Sequence, residues 1–215
     1  SYENRIRFPI EIVRRTRESV GENFIIIYRL SMLDLVEGGS TLEEVIQLAQ
    51  EIEKAGATII NTGIGWHEAR IPTIVTSVPR AAFVDYTAHV KQHVSVPIIA
   101  SNRINMPDTA EEILAAGKAD MIQMARPLLA DAFWVNKTAT NRVNEINTCI
   151  ACNQACLDHA FKNQRVSCLV NPQACFETEL VYIKTKKPKR IAVVGGGVAG
   201  MSAATVAASR GHAVT

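Results

Sequence analysis

The feature that most restricts the fold is an alternation of short apolar runs with helical stretches along the first part of the chain. Phe24 to Leu30, Ala57 to Asn61, Val96 to Ser101 and Asp120 to Met124 are β-rich and apolar. Runs of this kind suit strands covered on both faces. Between them lie helical patterns. Thr41 and Glu44 form a capping box, Leu42, Val45, Ile46, Ala49 and Ile52 share one stripe, and Gly56 ends the helix. A further helix is expected from about Pro79 to His93, another capped by Thr109 and Glu112 and ending at Gly117, and one before the first strand from Pro9 to Ser19. Strands and helices in this order predict a parallel sheet with right-handed crossovers.

Two architectures fit that order, an open doubly wound sheet and part of a (β/α)8 barrel. The polar, arginine-bearing strand ends Asn102-Arg103 and Ala125-Arg126 favour the barrel, because its last two strand ends commonly hold a phosphate. The expected fold class is therefore α/β. It comprises the C-terminal half of a TIM barrel over residues 1–140, a cysteine-rich segment over 141–183 and the start of a nucleotide-binding domain over 184–215. Both ends read as cut, and a free half-barrel would expose two strand edges, so missing N- and C-terminal parts of the same polypeptide are expected partners.

Four of five cysteines stand as Cys149-x2-Cys152-x3-Cys156-x11-Cys168. Thiolates suit zinc or an iron-sulfur cluster. Structural zinc more often takes two separated pairs, so the three-plus-one spacing favours a 4Fe-4S cluster, with zinc the alternative. Cys175 has no partner at motif spacing and reads as a buried small hydrophobe.

After the basic stretch Lys184 to Arg190, which reads as a solvated linker, Ile191 to Val194 leads into Gly195-x-Gly197-x-x-Gly200 and the helix Met201 to Ser209. Strand, glycine turn and helix together form a Rossmann-like dinucleotide fingerprint. Gly195 permits the turn, Gly197 lets the backbone approach a pyrophosphate, and Gly200 lets the helix pack closely. The acidic residue that would distinguish FAD from NAD lies past Thr215.

The loop Asn61 to Thr73 leaves the second strand with glycines, Trp66, His67, Glu68 and Arg70. On a loop facing the expected site, His67 suits an acid of near-neutral pKa. Glu68 and Arg70 read equally as a surface ion pair, and Arg29, a cation in an apolar strand, as a rim salt bridge or a ligand contact.

The net charge of +2, with 20% charged residues, gives no reason to expect nucleic acid. No apolar run reaches the ~20 residues of a membrane span and no signal-peptide pattern opens the chain, so the expected location is cytoplasmic. In that compartment clustered cysteines point to metal or redox chemistry.

Leu30 to Leu35, Asn61 to Thr73, Asn102 to Asn105, Met124 to Pro127, Thr148 to Asp158 and Gly195 to Gly200 together closely resemble the bacterial NADPH-dependent 2,4-dienoyl-CoA reductases. These are iron-sulfur flavoproteins related to old yellow enzyme and trimethylamine dehydrogenase. The resemblance implies that Cys149, Cys152, Cys156 and Cys168 ligate the cluster. It puts Arg29 near the flavin ring, Arg103, Ala125 and Arg126 around the FMN phosphate, and Gly195, Gly197 and Gly200 at the FAD pyrophosphate. His67 would protonate substrate together with a tyrosine outside this sequence. The implied cofactors are FMN, FAD, a 4Fe-4S cluster and NADPH, and the implied substrate is a 2,4-dienoyl-CoA thioester in unsaturated fatty acid β-oxidation. Related enoate reductases, NADH:flavin oxidoreductases and amine dehydrogenases remain alternatives, as does a zinc-stapled binding protein.

Overall fold

A computed structural model describes residues 1–66 and 68–215, and divides the chain into two compact units, Ser1–Asn171 and Pro172–Thr215.

The first unit opens with α1 (Tyr2–Val20) and continues with β1 (Ile27–Ser31), α2 (Leu42–Lys54), β2 (Ile59–Gly63), α3 (Val84–Lys91), β3 (Ile98–Ala100), α4 (Pro107–Ala115) and β4 (Met121–Ile122). It ends with the short helices α5 (Arg126–Ala130), α6 (Trp134–Ala139) and α7 (Leu157–Phe161). The strands pair in parallel in the order β1-β2-β3-β4. Each crossover advances to the next strand in the same direction, as in a barrel, whereas a doubly wound sheet reverses direction at a switch point. The expectation of barrel architecture is met on this ground.

Helix α2 carries the complete capping box: Thr41 Oγ1 accepts from Glu44 N, and Glu44 Oε2 accepts from Thr41 N. Its stripe buries Val45, Ala49 and Ile52. Val45 and Ala49 join Leu30, Ile60, Val84, Val90, Ile98 and Ile113 in one core between sheet and helices.

Three expectations need correction. The box at Thr109 and Glu112 does not form. Pro107 starts α4 with Met106 at the cap position, so Thr109 already lies inside the helix; a proline's fixed φ suits the first helical turn. Helix α1 begins at Tyr2 and runs through Pro9. Its first turn is docked on α2, with Tyr2 Oη donating to Glu44 O at 2.5 Å and Arg5 paired with Glu44. Cys175, expected to be buried, is half-buried, with a left-handed φ of 62°.

The second unit contains β5 (Arg190–Ile191), α8 (Val198–Ser209) and β6 (Ala213–Val214), with β5 and β6 parallel. Gly195 takes φ 111° at the turn, and a Cβ at Gly200 would stand 1.9 Å from the Gly195 carbonyl oxygen. Only glycine permits that approach of α8 to the turn. Among the described residues no helix is long and apolar enough to cross a membrane.

Candidate cofactor and active site

At the carboxyl ends of β2 and β3 a buried hydroxyl network fixes the backbone. Ser101 Oγ donates to Thr62 O at 2.5 Å, Thr62 Oγ1 donates to Ile99 O at 2.8 Å, and Thr87 lies beside them. The chain then turns through two consecutive left-handed residues, Asn102 (φ 69°) and Arg103 (φ 58°). Such conformations cost roughly 1–3 kcal/mol each and concentrate at functional sites. Here they bring Arg103 under the loop after β2, where its Nε donates to Val78 O at 2.8 Å.

Arg103, Arg29, Arg126, Ala125, Ser101 and Asn102 line one cavity. Arg29 reaches it across β2 because Gly63 has no side chain: a Cβ there would meet the guanidinium Nε at 3.2 Å. No carboxylate lines the cavity among the described residues, and none pairs with these three guanidiniums. Burial lowers the pKa of Arg103, and the nearby Arg126 and Arg80 charges act in the same direction, opposed by Cys149. Crowded cations without counter-charge make a site for an anion. Two further groups in the wall, Asn105 Oδ1 and Gln123 Oε1, are buried without a hydrogen-bond partner among the described residues, as is Asn61 Oδ1 on β2. Buried acceptors left open in this way fit a polar ligand that completes them.

A second, mostly apolar cavity adjoins the first and is ringed by all four motif cysteines, Cys149, Cys152, Cys156 and Cys168. Cys149 and Arg126 line both cavities. The cysteine loop turns through left-handed Ala151 (φ 56°) and Asn153 (φ 62°). It is held to the barrel by Thr76 Oγ1 donating to Ile150 O at 2.6 Å and Asn171 Nδ2 donating to Leu129 O at 3.1 Å. Burial pushes the Cys168 thiol up, the backbone N–H groups of Val170 and Asn171 pull it down, and Cys149 and Cys156 push it up further. Among the described residues no three His, Cys, Asp or Glu side chains gather as they would around a single metal ion. Four thiols around one cavity, with backbone N–H groups aimed at one sulfur, are a donor set that suits either zinc or an iron-sulfur cluster.

A third cavity lies over the loop after β2 and is lined by Ile64, Gly65, Trp66, Glu68 and Thr73. It shares Arg29, Ile74 and Asn102 with the anion cavity. Its loop is anchored by buried Asp34, which accepts from Trp66 Nε1 at 2.8 Å and from Ser40 N at 2.7 Å. Among the described residues Glu68 and Arg70 form no ion pair, and Glu68 lines the cavity instead. His67 lies outside the described residues.

Of the residues expected from sequence, Arg29, Arg103, Ala125 and Arg126 are brought together, and the four cysteines are brought together beside them. Gly195, Gly197 and Gly200 stand in the second unit. Asp34 and Asn105 lay in segments that carried the family resemblance but were given no role, and Gln123 and Arg80 had no sequence signal beyond their places on a strand end and in a loop.

Residues 1–145 match the model of the NADH:flavin oxidoreductase / NADH oxidase family. The metal reductase of Desulforamulus reducens is 46% identical over 98% of this chain and 32% of its own length. The NADH oxidase of Thermoanaerobacter brockii is 42% identical over 100% of this chain and 33% of its own length. A solved structure of 2-naphthoyl-CoA reductase with 2-naphthoyl-CoA superimposes with a TM-score of 0.95, at 36% identity, over 99% of this chain and 33% of that one. The chain thus spans about a third of the length of these relatives.

Proposed function

This chain belongs to the NADH:flavin oxidoreductase / NADH oxidase family, and on that premise we propose that it is the central part of an iron-sulfur flavoprotein reducing an unsaturated acyl-CoA thioester. The observation that carries the reading is the row of three adjoining cavities, a thiol-ringed one, a cationic one and an open loop-lined one, each sharing wall residues with the next. The similarity to 2-naphthoyl-CoA reductase supports a CoA thioester, and 2,4-dienoyl-CoA is the specific substrate we assign.

On this reading residues 1–140 are half of the FMN barrel, 141–183 the cluster segment and 184–215 the start of the FAD/NAD(P)-binding domain. When bound, the cofactors supply an electron path from NADPH through FAD and the 4Fe-4S cluster to FMN. Arg103 and Arg126, beside Ala125, would hold the FMN phosphate. Asn105 and Gln123 complete their open hydrogen bonds on the cofactor's polar atoms. Arg29 lines both the cationic and the open cavity, where it would place its positive charge beside the flavin ring. Trp66 and Ile64 would wall the substrate from water, and His67 would donate the proton to the substrate. Cys149, Cys152, Cys156 and Cys168 hold the cluster, and Gly195, Gly197 and Gly200 admit the FAD pyrophosphate.

The test uses the complete polypeptide, purified anaerobically, with loss of 2,4-dienoyl-CoA absorbance followed on adding NADPH. Turnover is expected, with Cys152→Ala losing flavin-to-flavin transfer and His67→Ala losing turnover. Full activity in either variant overturns the corresponding role.

A further inference from the structure

The thiol-ringed cavity and the cationic cavity have a common wall, and the hydrogen bonds across it run in one pattern. Arg126 Nη1 donates to Ile74 O at 2.8 Å and to Asn153 Oδ1 at 2.5 Å. Asn153 belongs to the cysteine loop, between Cys152 and Cys156. From the other side Asn105, 5% exposed and lining the cationic cavity, donates from Nδ2 to Cys149 O at 2.8 Å, while its Oδ1 is without a partner. The loop therefore orients both a cation and an amide of the neighbouring site.

A long arginine left to itself samples many rotamers, and ordering it costs up to ~2 kcal/mol. Asn153 removes that freedom beforehand together with Ile74 O, by a charge-assisted bond from a backbone position held left-handed at φ 62°. Asparagine tolerates this conformation better than most residues.

We propose that Asn153 is a positioning residue for the flavin phosphate. It sets Arg126 through the cysteine loop, so that occupancy of the thiol cavity and affinity for FMN are thermodynamically linked. The inference rests on the functional reading above, which assigns FMN to the cationic cavity and a cluster to the thiols. Linkage is reciprocal: whatever orders the loop tightens FMN, and FMN in turn tightens the loop.

The experiment titrates FMN, by quenching of its fluorescence, into flavin-depleted full-length protein, with iron measured in parallel. Asn153→Gly keeps the backbone conformation and deletes the acceptor; Asn153→Asp keeps the acceptor. We expect FMN affinity to fall about tenfold in Asn153→Gly, the size of one charge-assisted hydrogen bond, and to be restored in Asn153→Asp. Removing iron from the unaltered protein is expected to weaken FMN by a similar factor, and to have little added effect in Asn153→Gly. Equal FMN affinity in Asn153→Gly and the unaltered protein overturns the positioning role. Equal affinity with and without iron overturns the linkage, even where Asn153→Gly itself fails to retain iron. A protein that takes up FMN but never iron sinks the cluster assignment and the linkage, while the Asn153→Gly arm still decides the positioning role. One that takes up no FMN sinks the functional reading and the inference together.

Discussion

Replacing Asp131 by asparagine should loosen the base of the cysteine loop by about 3 kcal/mol. Asp131 caps α5 and is almost fully buried, with its side chain 3% exposed. Its Oδ1 accepts from Phe133 N at 2.9 Å, and its Oδ2 accepts from both Lys137 Nζ at 2.6 Å and Asn147 N at 2.9 Å. Asn147 lies just before Cys149, so this carboxylate ties the start of the cysteine loop to the barrel. In the asparagine variant one terminal atom becomes an NH2. Turned to keep Phe133, it faces Lys137 and Asn147 donor to donor; turned the other way, it loses Phe133. Losing one charge-assisted and one neutral bond costs roughly 2–4.5 kcal/mol, within reach of the roughly 3–5 kcal/mol for breaking a buried pair. The midpoint, ~3 kcal/mol, is the loss of stability expected. Burial alone would push the Asp131 carboxyl up, but Lys137 and the two N–H groups outweigh it and hold the folded pKa below its ordinary value of 3.8. The stabilisation is therefore complete above the unfolded value and is lost as pH falls through the folded one. Circular dichroism melts of the full-length protein and its Asp131→Asn variant should differ at pH 7 and converge below about pH 4. Equal melting temperatures at pH 7, or a gap that persists undiminished in acid, would refute the argument.

Arg103→Met should weaken FMN at least tenfold and leave riboflavin, which has no phosphate, bound as before; titrations of the two flavins decide it. Gly200→Ala puts a methyl group 1.9 Å from the Gly195 carbonyl oxygen, so α8 must shift; FAD content per polypeptide should drop sharply in the full-length protein. Thr41→Ala removes the α2 cap and should cost about 1 kcal/mol by urea unfolding without changing FMN affinity. Asp34→Ala frees the Trp66 indole and Ser40 N, and should raise KM for the acyl-CoA more than it lowers kcat.

The α2 capping box and its apolar stripe were legible because both are set by contacts within a few residues. The same local rule failed at Thr109, where Pro107 had already started the helix, and at Pro9, where contacts of Tyr2 and Arg5 with Glu44 carry α1 through a proline. The strands were found but with shifted ends: β2 runs to Gly63 rather than Asn61, since pairing with β1 continues to Ser31. An apolar pattern locates a strand, whereas its partner determines where it stops. Ala125, Arg103 and the cysteines carried motif signals. Asn105 lay beside Arg103 in a motif segment but was given no role, and Gln123 and Arg80 carried no signal, because an amide or a cation acquires its meaning only from what faces it.

By itself the sequence determined the αβ alternation, the spacing of four thiols and the glycine turn, all properties of neighbours along the chain. The tertiary structure turned expectation into contact: β1 to β4 pair in sequential order, and among the described residues Arg29, Arg103 and Arg126 share one cavity that no carboxylate lines. It also decided that this cavity shares Arg126 and Cys149 with the ring of cysteines. These are contacts between residues far apart in sequence, created by parallel pairing that stacks successive strand ends on one rim, and no local pattern encodes which ends will meet.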